Sequence, residues 1–240
     1  MNRKVFITGA SRGIGRSIAA SFAEEHDDLF LVCRKNIEEL EKYASELEKK
    51  YGITAKAFKC DVGSFEELKK VFEQIDDIDI LINNAGVAWI GLLTDMDVSD
   101  WKNVMSTNLD SVFYTSKLAA PMMVKKQKGR IINISSVWGS VGASCEVAYS
   151  ASKGGVNSFT RALAKELAPS RISVNAIACG VIDTDMNRQH LTQEDMEELR
   201  NEIPMDRLGS AEEVAQLVLK LSDAPEYMTG QIITIDGGWI

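Results

Sequence analysis

Short runs of apolar residues alternate with longer amphipathic patterns along the whole chain. The runs lack the apolar–polar alternation of half-exposed strands, as expected of parallel strands that are covered on both faces. Seven such runs predict β-strands over residues 5–7, 29–32, 55–58, 78–82, 131–134, 172–178 and 231–235.

The segments between these runs carry apolar residues at helical spacing. They predict helices over residues 14–22, 37–51, 65–75, 99–128, 147–168 and 210–221. Asn36 with Glu39 and Ser64 with Glu67 are typical of capping boxes, and Gly52 is typical of a helix end. Strands that alternate with helices indicate right-handed crossovers and a doubly wound sheet. We expect one α/β domain over residues 1–240, a Rossmann-type fold with a seven-stranded parallel sheet and helices on both faces.

The composition argues against several classes of protein. The 240 residues include 35 acidic and 27 basic ones, a formal net charge of −8. Without a basic block, this charge disfavours nucleic acid as a partner. No apolar run approaches the length of a membrane span or of a signal-peptide core. The cysteines lack metal-ligand spacing and are scattered, so we expect no metal and a cytoplasmic location; they are Cys33, Cys60, Cys145 and Cys179.

A glycine-rich segment follows the first predicted strand, where an open parallel sheet binds its ligands. Residues 8–15 contain Gly9, Gly13 and Gly15, a spacing that differs from G-x-G-x-x-G and from the Walker loop. Glycines let the backbone approach a phosphate closely, and the following helix offers it free N–H groups. A plain strand-to-helix turn is the alternative, but the position after the first strand favours dinucleotide binding.

The second strand is followed by Cys33, Arg34 and Lys35, without an acid. Sites that prefer NAD carry an acid here that bonds the ribose 2′-hydroxyl. A guanidinium can instead hold a 2′-phosphate with two hydrogen bonds, and Arg12 could approach the same group. A solvated basic pair is the alternative. We favour NADP(H).

Small and amide residues follow the third and fourth strands. Asp61 and Val62 follow the third, and Asn84, Ala85 and Gly86 follow the fourth. Such residues can line an adenine and a ribose without steric cost. Alone, the second segment is only a good turn sequence.

The fifth strand leads to the candidate catalytic residues. Ser136 ends this run, and Tyr149 and Lys153 follow at helical i, i+4 spacing. An ammonium beside a phenol favours the phenolate and lowers the pKa of the phenol. Tyr149 could then donate a proton to a carbonyl oxygen as hydride reaches the carbon, while Ser136 hydrogen-bonds that oxygen. Alone, a Tyr-x-x-x-Lys pair is typical of any surface helix.

Together these residues resemble the short-chain dehydrogenase/reductase family over nearly the whole chain. The matching positions are residues 8–15, Asp61, residues 83–86, Asn108, Ser136, Tyr149, Lys153, Val174, Asn175 and residues 236–238. The resemblance implies that Tyr149 is the general acid/base and that Lys153 lowers its pKa and holds the nicotinamide ribose. It also implies that Ser136 positions the substrate carbonyl and that Asn108 anchors a proton-relaying water chain. The expected NADP(H) contacts are Gly9, Ser11, Arg12, Gly13, Ile14, Gly15, Arg34, Asp61, Val62, Asn84, Ala85, Gly86, Tyr149, Lys153, Ile182 and Thr184.

One position departs from the family pattern. The family usually has Pro-Gly after the sixth strand, where this chain has Cys179 and Gly180. Proline would fix the backbone there, so we expect altered loop mobility. A reactive Cys179 is the alternative, but no neighbour in the sequence resembles its base, which favours a packed side chain.

Within the family the chain is most similar to the 3-oxoacyl-[acyl-carrier-protein] reductases. The supporting segments are residues 8–15, 129–136, 184–186, 203–204, 207–209 and 230–238. The similarity implies NADPH-dependent reduction of a 3-oxoacyl thioester to the (3R)-3-hydroxyacyl form in fatty-acid biosynthesis, by a homotetramer with a lid over residues 184–208. The helices over residues 99–128 and 147–168 would pack between subunits.

An acidic carrier protein needs a basic docking face. Lys125, Lys126, Lys128, Arg130 and Arg171 could form one, although the two family arginines that meet the carrier fall on Gln127 and Ser170. The first alternative is an NADP(H)-dependent reductase of another carbonyl, such as acetoacetyl-CoA, a sugar or a small ketone. The second is a non-catalytic NADP(H)-binding regulator, which would have no need of the intact catalytic residues.

Overall fold

A computed structural model describes residues 2–190 and 192–240, and seven parallel strands form its sheet. The order is β3-β2-β1-β4-β5-β6-β7, so the chain reverses its direction of winding between β1 and β4. The strands are β1 Lys4–Thr8, β2 Asp28–Cys33, β3 Ala55–Lys59, β4 Ile80–Asn83, β5 Gly129–Ser136, β6 Ile172–Cys179 and β7 Ile232–Ile235. All seven predicted strands are confirmed.

Helices cover both faces of this sheet, as predicted. They are α1 Gly13–Glu24, α2 Ile37–Tyr51, α3 Phe65–Phe72, α4 Val98–Met105, α5 Ser111–Lys126, α6 Trp138–Val141, α7 Val147–Leu167, α8 Asp185–His190, α9 Gln193–Glu202 and α10 Ala211–Ser222. Val5 and Ile7 of β1 pack with residues of α1, α2 and α10 on one face. Phe6, between them, packs with residues of α3, α5 and α7 on the other. Neighbouring residues of a strand point to opposite faces, so the unbroken apolar runs are explained by two cores.

The predicted helix starts are only partly confirmed. The Asn36 side chain makes no capping bond, so the capping box expected at α2 is wrong. At α3, the Ser64 Oγ accepts from the Glu67 N–H at 3.3 Å, but the Glu67 carboxylate accepts from the Asp61 N–H instead. Gly52 ends α2 with a φ of 69°, as predicted. The left-handed conformation at this position favours glycine.

The long helix predicted over residues 99–128 is interrupted. The stretch Ser106–Asp110 between α4 and α5 forms a π-helical turn that contains Asn108. Such wide turns are frequent at functional sites because they redirect a side chain.

The described residues contain neither a membrane-spanning helix nor a cluster of metal ligands. None of the helices in the described ranges combines the length and the apolar composition needed to cross a bilayer. Among the same residues, no three His, Cys, Asp or Glu side chains are grouped as metal ligands.

Candidate active site

A cleft of about 790 Å³ lies over the carboxyl ends of the strands, where the fold predicts ligand binding. It collects most of the residues singled out from the sequence. These are Gly9, Ser11, Arg12, Gly13, Ile14, Arg34, Asp61, Val62, Asn84, Ala85, Gly86, Ser136, Tyr149, Lys153, Ile182 and Thr184. Gly15 and Asn108 are not among the residues that line it.

The glycine loop is tied to the loop after β4. The Asn84 Nδ2 donates to the carbonyl oxygens of Thr8 at 2.9 Å and Gly9 at 3.2 Å. The Thr8 Oγ1 accepts from the backbone N–H groups of Asn84 and Ala85, each at 3.0 Å. Gly15 lies behind this junction, where a Cβ would approach the Asn84 Nδ2 to 2.6 Å. Its role is close packing of α1 against the loop, and sequence reasoning missed Thr8.

One end of the cleft is basic. Arg12, the N-cap residue of α1, and Arg34 and Lys35, which follow β2, are exposed and line this end. The Arg12 side chain does not cap the helix, so the first N–H groups of α1 keep their capacity to bind an anion.

Tyr149 and Lys153 meet at the other end of the cleft. Both belong to α7, and the Lys153 Nζ lies 5.5 Å from the centre of the Tyr149 ring. Lys153 is only 4% exposed, and its Nζ donates to the Ile134 carbonyl oxygen at 2.9 Å. A Cβ added to Gly86 would come within 3.7 Å of this Nζ. The loop after β4 therefore passes within van der Waals range of the ammonium.

Asn108 supports these residues from behind the cleft. Its Oδ1 accepts from the Val87 N–H at 2.8 Å, and its Nδ2 donates to the Val87 carbonyl at 2.9 Å. The Nδ2 also donates to the Ser152 Oγ at 3.1 Å, and that hydroxyl donates to the Tyr149 carbonyl at 2.7 Å. The π turn thus joins the loop after β4 to α7, which holds Tyr149 in register with the cleft.

The electrostatics of the pair differ from the sequence-based expectation. Burial raises the pKa of the Tyr149 phenol, the nearby Glu146 carboxylate raises it further, and a hydrogen bond with Ser136 opposes the rise. Burial also lowers the pKa of Lys153 to about 8. Lys153 was expected to lower the pKa of Tyr149, and this is not seen, since its ammonium is directed at Ile134 and is itself destabilised. At neutral pH Tyr149 is a neutral phenol.

Cys179 is packed at the end of β6. It is 6% exposed, and burial raises the pKa of its thiol to about 12. A reactive cysteine needs a lowered pKa, so the structure favours the packed side chain over the reactive one. The next residue, Gly180, is held by β7, because its N–H donates to the Ile235 carbonyl at 2.9 Å.

Sequence reasoning missed several other residues that line the cleft. Among them are Glu146, Trp138 and Trp239. Trp138 lies two positions after Ser136, and a rare aromatic so close to a candidate catalytic residue was a usable signal. Trp239 had no such signal, because it reaches the cleft from the end of the chain.

The candidate docking residues lie away from the cleft of their own chain. Lys125, Lys126, Lys128 and Arg130 precede or begin β5, whereas Ser136 ends it. The strand has eight residues, which span about 23 Å at roughly 3.3 Å per residue. Lys126 is also engaged with Asp77 and Asp79, and Arg171 with Glu226.

We expect Lys153→Met to stabilise the protein at pH 7. Lowering the pKa of Lys153 from 10.5 to about 8 corresponds to about 3 kcal/mol of destabilisation. Loss of the bond to the Ile134 carbonyl offsets about 1–2 kcal/mol of the gain. The net expectation is a free energy of unfolding higher by about 1–2 kcal/mol in urea titrations at pH 7.

The advantage of this variant should shrink as the pH rises from 8 to 10.5. In that window the folded wild type has lost the Lys153 proton while the unfolded chain still binds it, so wild-type stability rises with pH. Two results would contradict the assignment of a destabilised buried ammonium. One is a variant that is less stable than the wild type at pH 7. The other is a difference in unfolding free energy between variant and wild type that is the same at pH 7 and pH 10.

Comparisons with known proteins agree with this geometry. The family model for short chain dehydrogenase matches residues 3–195. The 3-oxoacyl-[acyl-carrier-protein] reductase FabG of Aquifex aeolicus is 40% identical, over 97% of this chain and 95% of the relative. YmfI of Bacillus subtilis, an uncharacterized oxidoreductase, is 38% identical over 100% of this chain and 99% of its own. The crystal structure of YwfH, an NADPH dependent reductase involved in bacilysin biosynthesis, superposes with a TM-score of 0.93 at 27% identity, covering 100% of this chain and 99% of that one.

Proposed function

The chain belongs to the short-chain dehydrogenase/reductase family, and we propose that it reduces a 3-oxoacyl thioester, carried on acyl carrier protein, with NADPH. The observation that carries the proposal is the composition of one cleft. Ser136, Tyr149 and Lys153 lie at one end, and the basic side chains of Arg12 and Arg34 lie at the other. The similarity to FabG at 40% identity supports the substrate, and the product would be the (3R)-3-hydroxyacyl form of fatty-acid biosynthesis.

The residues present fit a nicotinamide dinucleotide. The glycine loop and the start of α1 would hold the pyrophosphate, and Gly13 lies beside Thr184, where a Cβ would come within 3.6 Å of the threonine methyl group. Arg34 and Arg12 would hold the 2′-phosphate of NADP(H). The adenosine would lie on Asp61 and Val62, with Asn84, Ala85 and Gly86 beside the ribose and Ile182 beside the nicotinamide. Bound there, the cofactor supplies the hydride.

The catalytic side chains would act on the carbonyl oxygen. Ser136 would hold that oxygen by a hydrogen bond, and the Tyr149 hydroxyl would donate its proton to it. Reduction needs a protonated phenol, and Tyr149, whose pKa burial raises, is protonated at neutral pH. Lys153 would bind the nicotinamide ribose beside Tyr149, and a water chain anchored by Asn108 would relay protons to Lys153.

The proposal also covers the chain as a whole. We propose one domain over residues 1–240, located in the cytoplasm. We propose residues 184–208 as its lid, because α8 and α9 contribute Asp185 and Leu199 to the cleft lining. Exposed apolar side chains on α4, α5 and α7 support assembly into a homotetramer through these helices. They include Trp101, Phe113 and Val147, which are 38%, 47% and 43% exposed.

A second candidate is reduction of another carbonyl with NADPH. The near-complete superposition on the YwfH reductase, which has a different role, favours it, as does the distance of the basic residues from the cleft. A non-catalytic regulator is disfavoured, because Ser136, Tyr149 and Lys153 are assembled together.

The substrate is tested by following NADPH oxidation with matched concentrations of acetoacetyl-[acyl-carrier-protein], acetoacetyl-CoA and cyclohexanone. We expect kcat/KM for the carrier-bound thioester to exceed that for cyclohexanone by at least about 100-fold, because the thioester gains binding energy along its arm. Comparison of the two thioesters separates carrier recognition from pantetheine recognition. Equal or faster reduction of cyclohexanone would displace the thioester from the proposal.

A further inference from the structure

The end of the cleft beyond Ser136 and Tyr149 is walled by two tryptophans. Trp138 begins α6, and its backbone N–H donates to the Ser136 Oγ at 3.2 Å. Trp239 comes from the C-terminal segment, and both residues line the cleft. Their ring centroids lie 4.9 Å apart at an angle of 63°, which is edge-to-face contact. The two rings are therefore in direct contact at this end of the cleft.

A carboxylate lies beside each tryptophan. Glu146, the N-cap residue of α7, faces the Trp138 side chain; burial raises the pKa of the Glu146 carboxyl, and Trp138 opposes the rise. On the other side, the Trp239 Nε1 donates to the Glu202 Oε2 at 3.2 Å. Hydrogen bonds to a charged acceptor are stronger than neutral ones. The wall is therefore tied to α9 through Trp239 and to Ser136 through the backbone of Trp138.

The backbone around Trp239 is fixed as well. The Asp236 carboxylate accepts from the N–H groups of Gly238 and Ile240, each at 3.0 Å. The Gly237 carbonyl accepts from the Met205 N–H at 3.3 Å. These bonds on both sides of Trp239 hold its indole at the cleft.

The charges at this end differ from those at the cofactor end. Glu146, Glu198 and Glu202 line it, whereas the exposed cations of the described lining lie at the other end, around Arg34. A carboxylate in the group beyond the reacting carbonyl, on the far side from Lys153, would meet like charge here, in a partly buried site where repulsion is strong. An uncharged group avoids this cost.

We propose that Trp138 and Trp239 set the substrate specificity by limiting the group beyond the reacting carbonyl to a short, uncharged acyl chain of acetoacetyl size. The inference rests on the proposed reduction of 3-oxoacyl thioesters and names the class within it. A longer chain must separate the two rings and break the bond of Trp239 to Glu202, whereas a methyl group fits in front of them.

The test compares the N-acetylcysteamine thioesters of 3-oxobutanoic and 3-oxooctanoic acid, with NADPH oxidation as the readout. The wild type should favour the four-carbon substrate by about tenfold or more in kcat/KM, and Trp138→Ala or Trp239→Ala should raise the eight-carbon to four-carbon ratio by at least about tenfold. Tyr227→Ala is the matched aromatic-to-alanine control, since Tyr227 is fully exposed and outside the cleft lining, and should leave the ratio unchanged. Each variant is titrated with NADPH, and normal binding shows that its cleft is intact. If Trp239→Ala does not fold, Trp239→Leu is used in its place.

Each outcome of this experiment decides something. The proposed role of the two tryptophans would be wrong if the wild type reduced both thioesters equally. It would also be wrong if folded variants kept the wild-type ratio of eight-carbon to four-carbon kcat/KM. A wild type that reduces neither these thioesters nor acetoacetyl-[acyl-carrier-protein] overturns the proposed function. The chain-length limit is then judged by the same ratio for ethyl 3-oxobutanoate and ethyl 3-oxooctanoate. Failure to reduce any of the five compounds overturns both.

The charge requirement has its own comparison. Ethyl 5-methyl-3-oxohexanoate and monoethyl 3-oxopentanedioate have nearly the same shape, but the second carries one negative charge in the group beyond the reacting carbonyl. We expect kcat/KM for the charged compound to be lower by at least about tenfold, from like-charge repulsion at Glu146. Equal values for the two compounds would overturn this part of the inference.

Discussion

Replacing Tyr149 with Phe should lower kcat for carbonyl reduction by about 10³-fold while NADPH still binds. The change removes one hydroxyl, the proposed proton donor to the carbonyl oxygen, and general acid catalysis contributes about 10²–10⁴-fold in enzymes. The ring lies beside Lys153 and lines the cleft, and it stays in place in the variant. Stopped-flow measurement of NADPH oxidation separates the loss of chemistry from slow product release.

The matched control for this variant is Tyr227→Phe. The Tyr227 side chain is 100% exposed and does not line the cleft, so the same loss of a hydroxyl should leave kcat and the NADPH affinity unchanged. A Tyr149→Phe enzyme with near-normal kcat would remove Tyr149 from its proposed role. Weakened NADPH binding with normal kcat at saturation would assign it to cofactor positioning instead.

The strands and the position of the cleft could be predicted because they depend on local patterns. Each apolar run coincides with a strand, the inner strands are buried on both faces, and the ligand-binding edge follows from parallel pairing. The catalytic residues could be assigned to this edge because Ser136 ends β5 and Tyr149 follows on α7. The π turn at Asn108 was missed, since its apolar spacing is still helical and only the bonds to Val87 favour the wider turn.

The remaining misses depend on contacts between distant segments. The pKa of Tyr149 depends on burial and on Glu146, which no spacing rule weighs against the charge of Lys153. The wall of Trp138 and Trp239 joins residues that are about one hundred positions apart. Asn36 was assigned a capping bond from its residue type, but its side chain does not make one. Sequence patterns therefore predicted the positions of the cleft residues more accurately than they predicted the pKa shifts of those residues.

Replacing Arg34 with Asp should reverse the cofactor preference. Arg34 is exposed at the basic end of the cleft, directly after β2, where the proposed 2′-phosphate would lie. Losing a charge-assisted hydrogen bond costs about 1.5–3 kcal/mol, and an added carboxylate repels the phosphate as well. We expect the NADPH to NADH ratio of kcat/KM to fall by at least about 100-fold, since each 1.4 kcal/mol is tenfold.

An increase in kcat/KM with NADH distinguishes a change of cofactor preference from a general loss of activity. An aspartate after β2 can accept hydrogen bonds from the ribose hydroxyls of NADH, so kcat/KM with NADH should increase while that with NADPH falls. Lys42→Asp is the matched control, because it makes the same charge reversal on the exposed face of α2, outside the cleft lining. If Arg34→Asp and Lys42→Asp shift the ratio equally, the effect is long-range charge, and the 2′-phosphate does not contact Arg34.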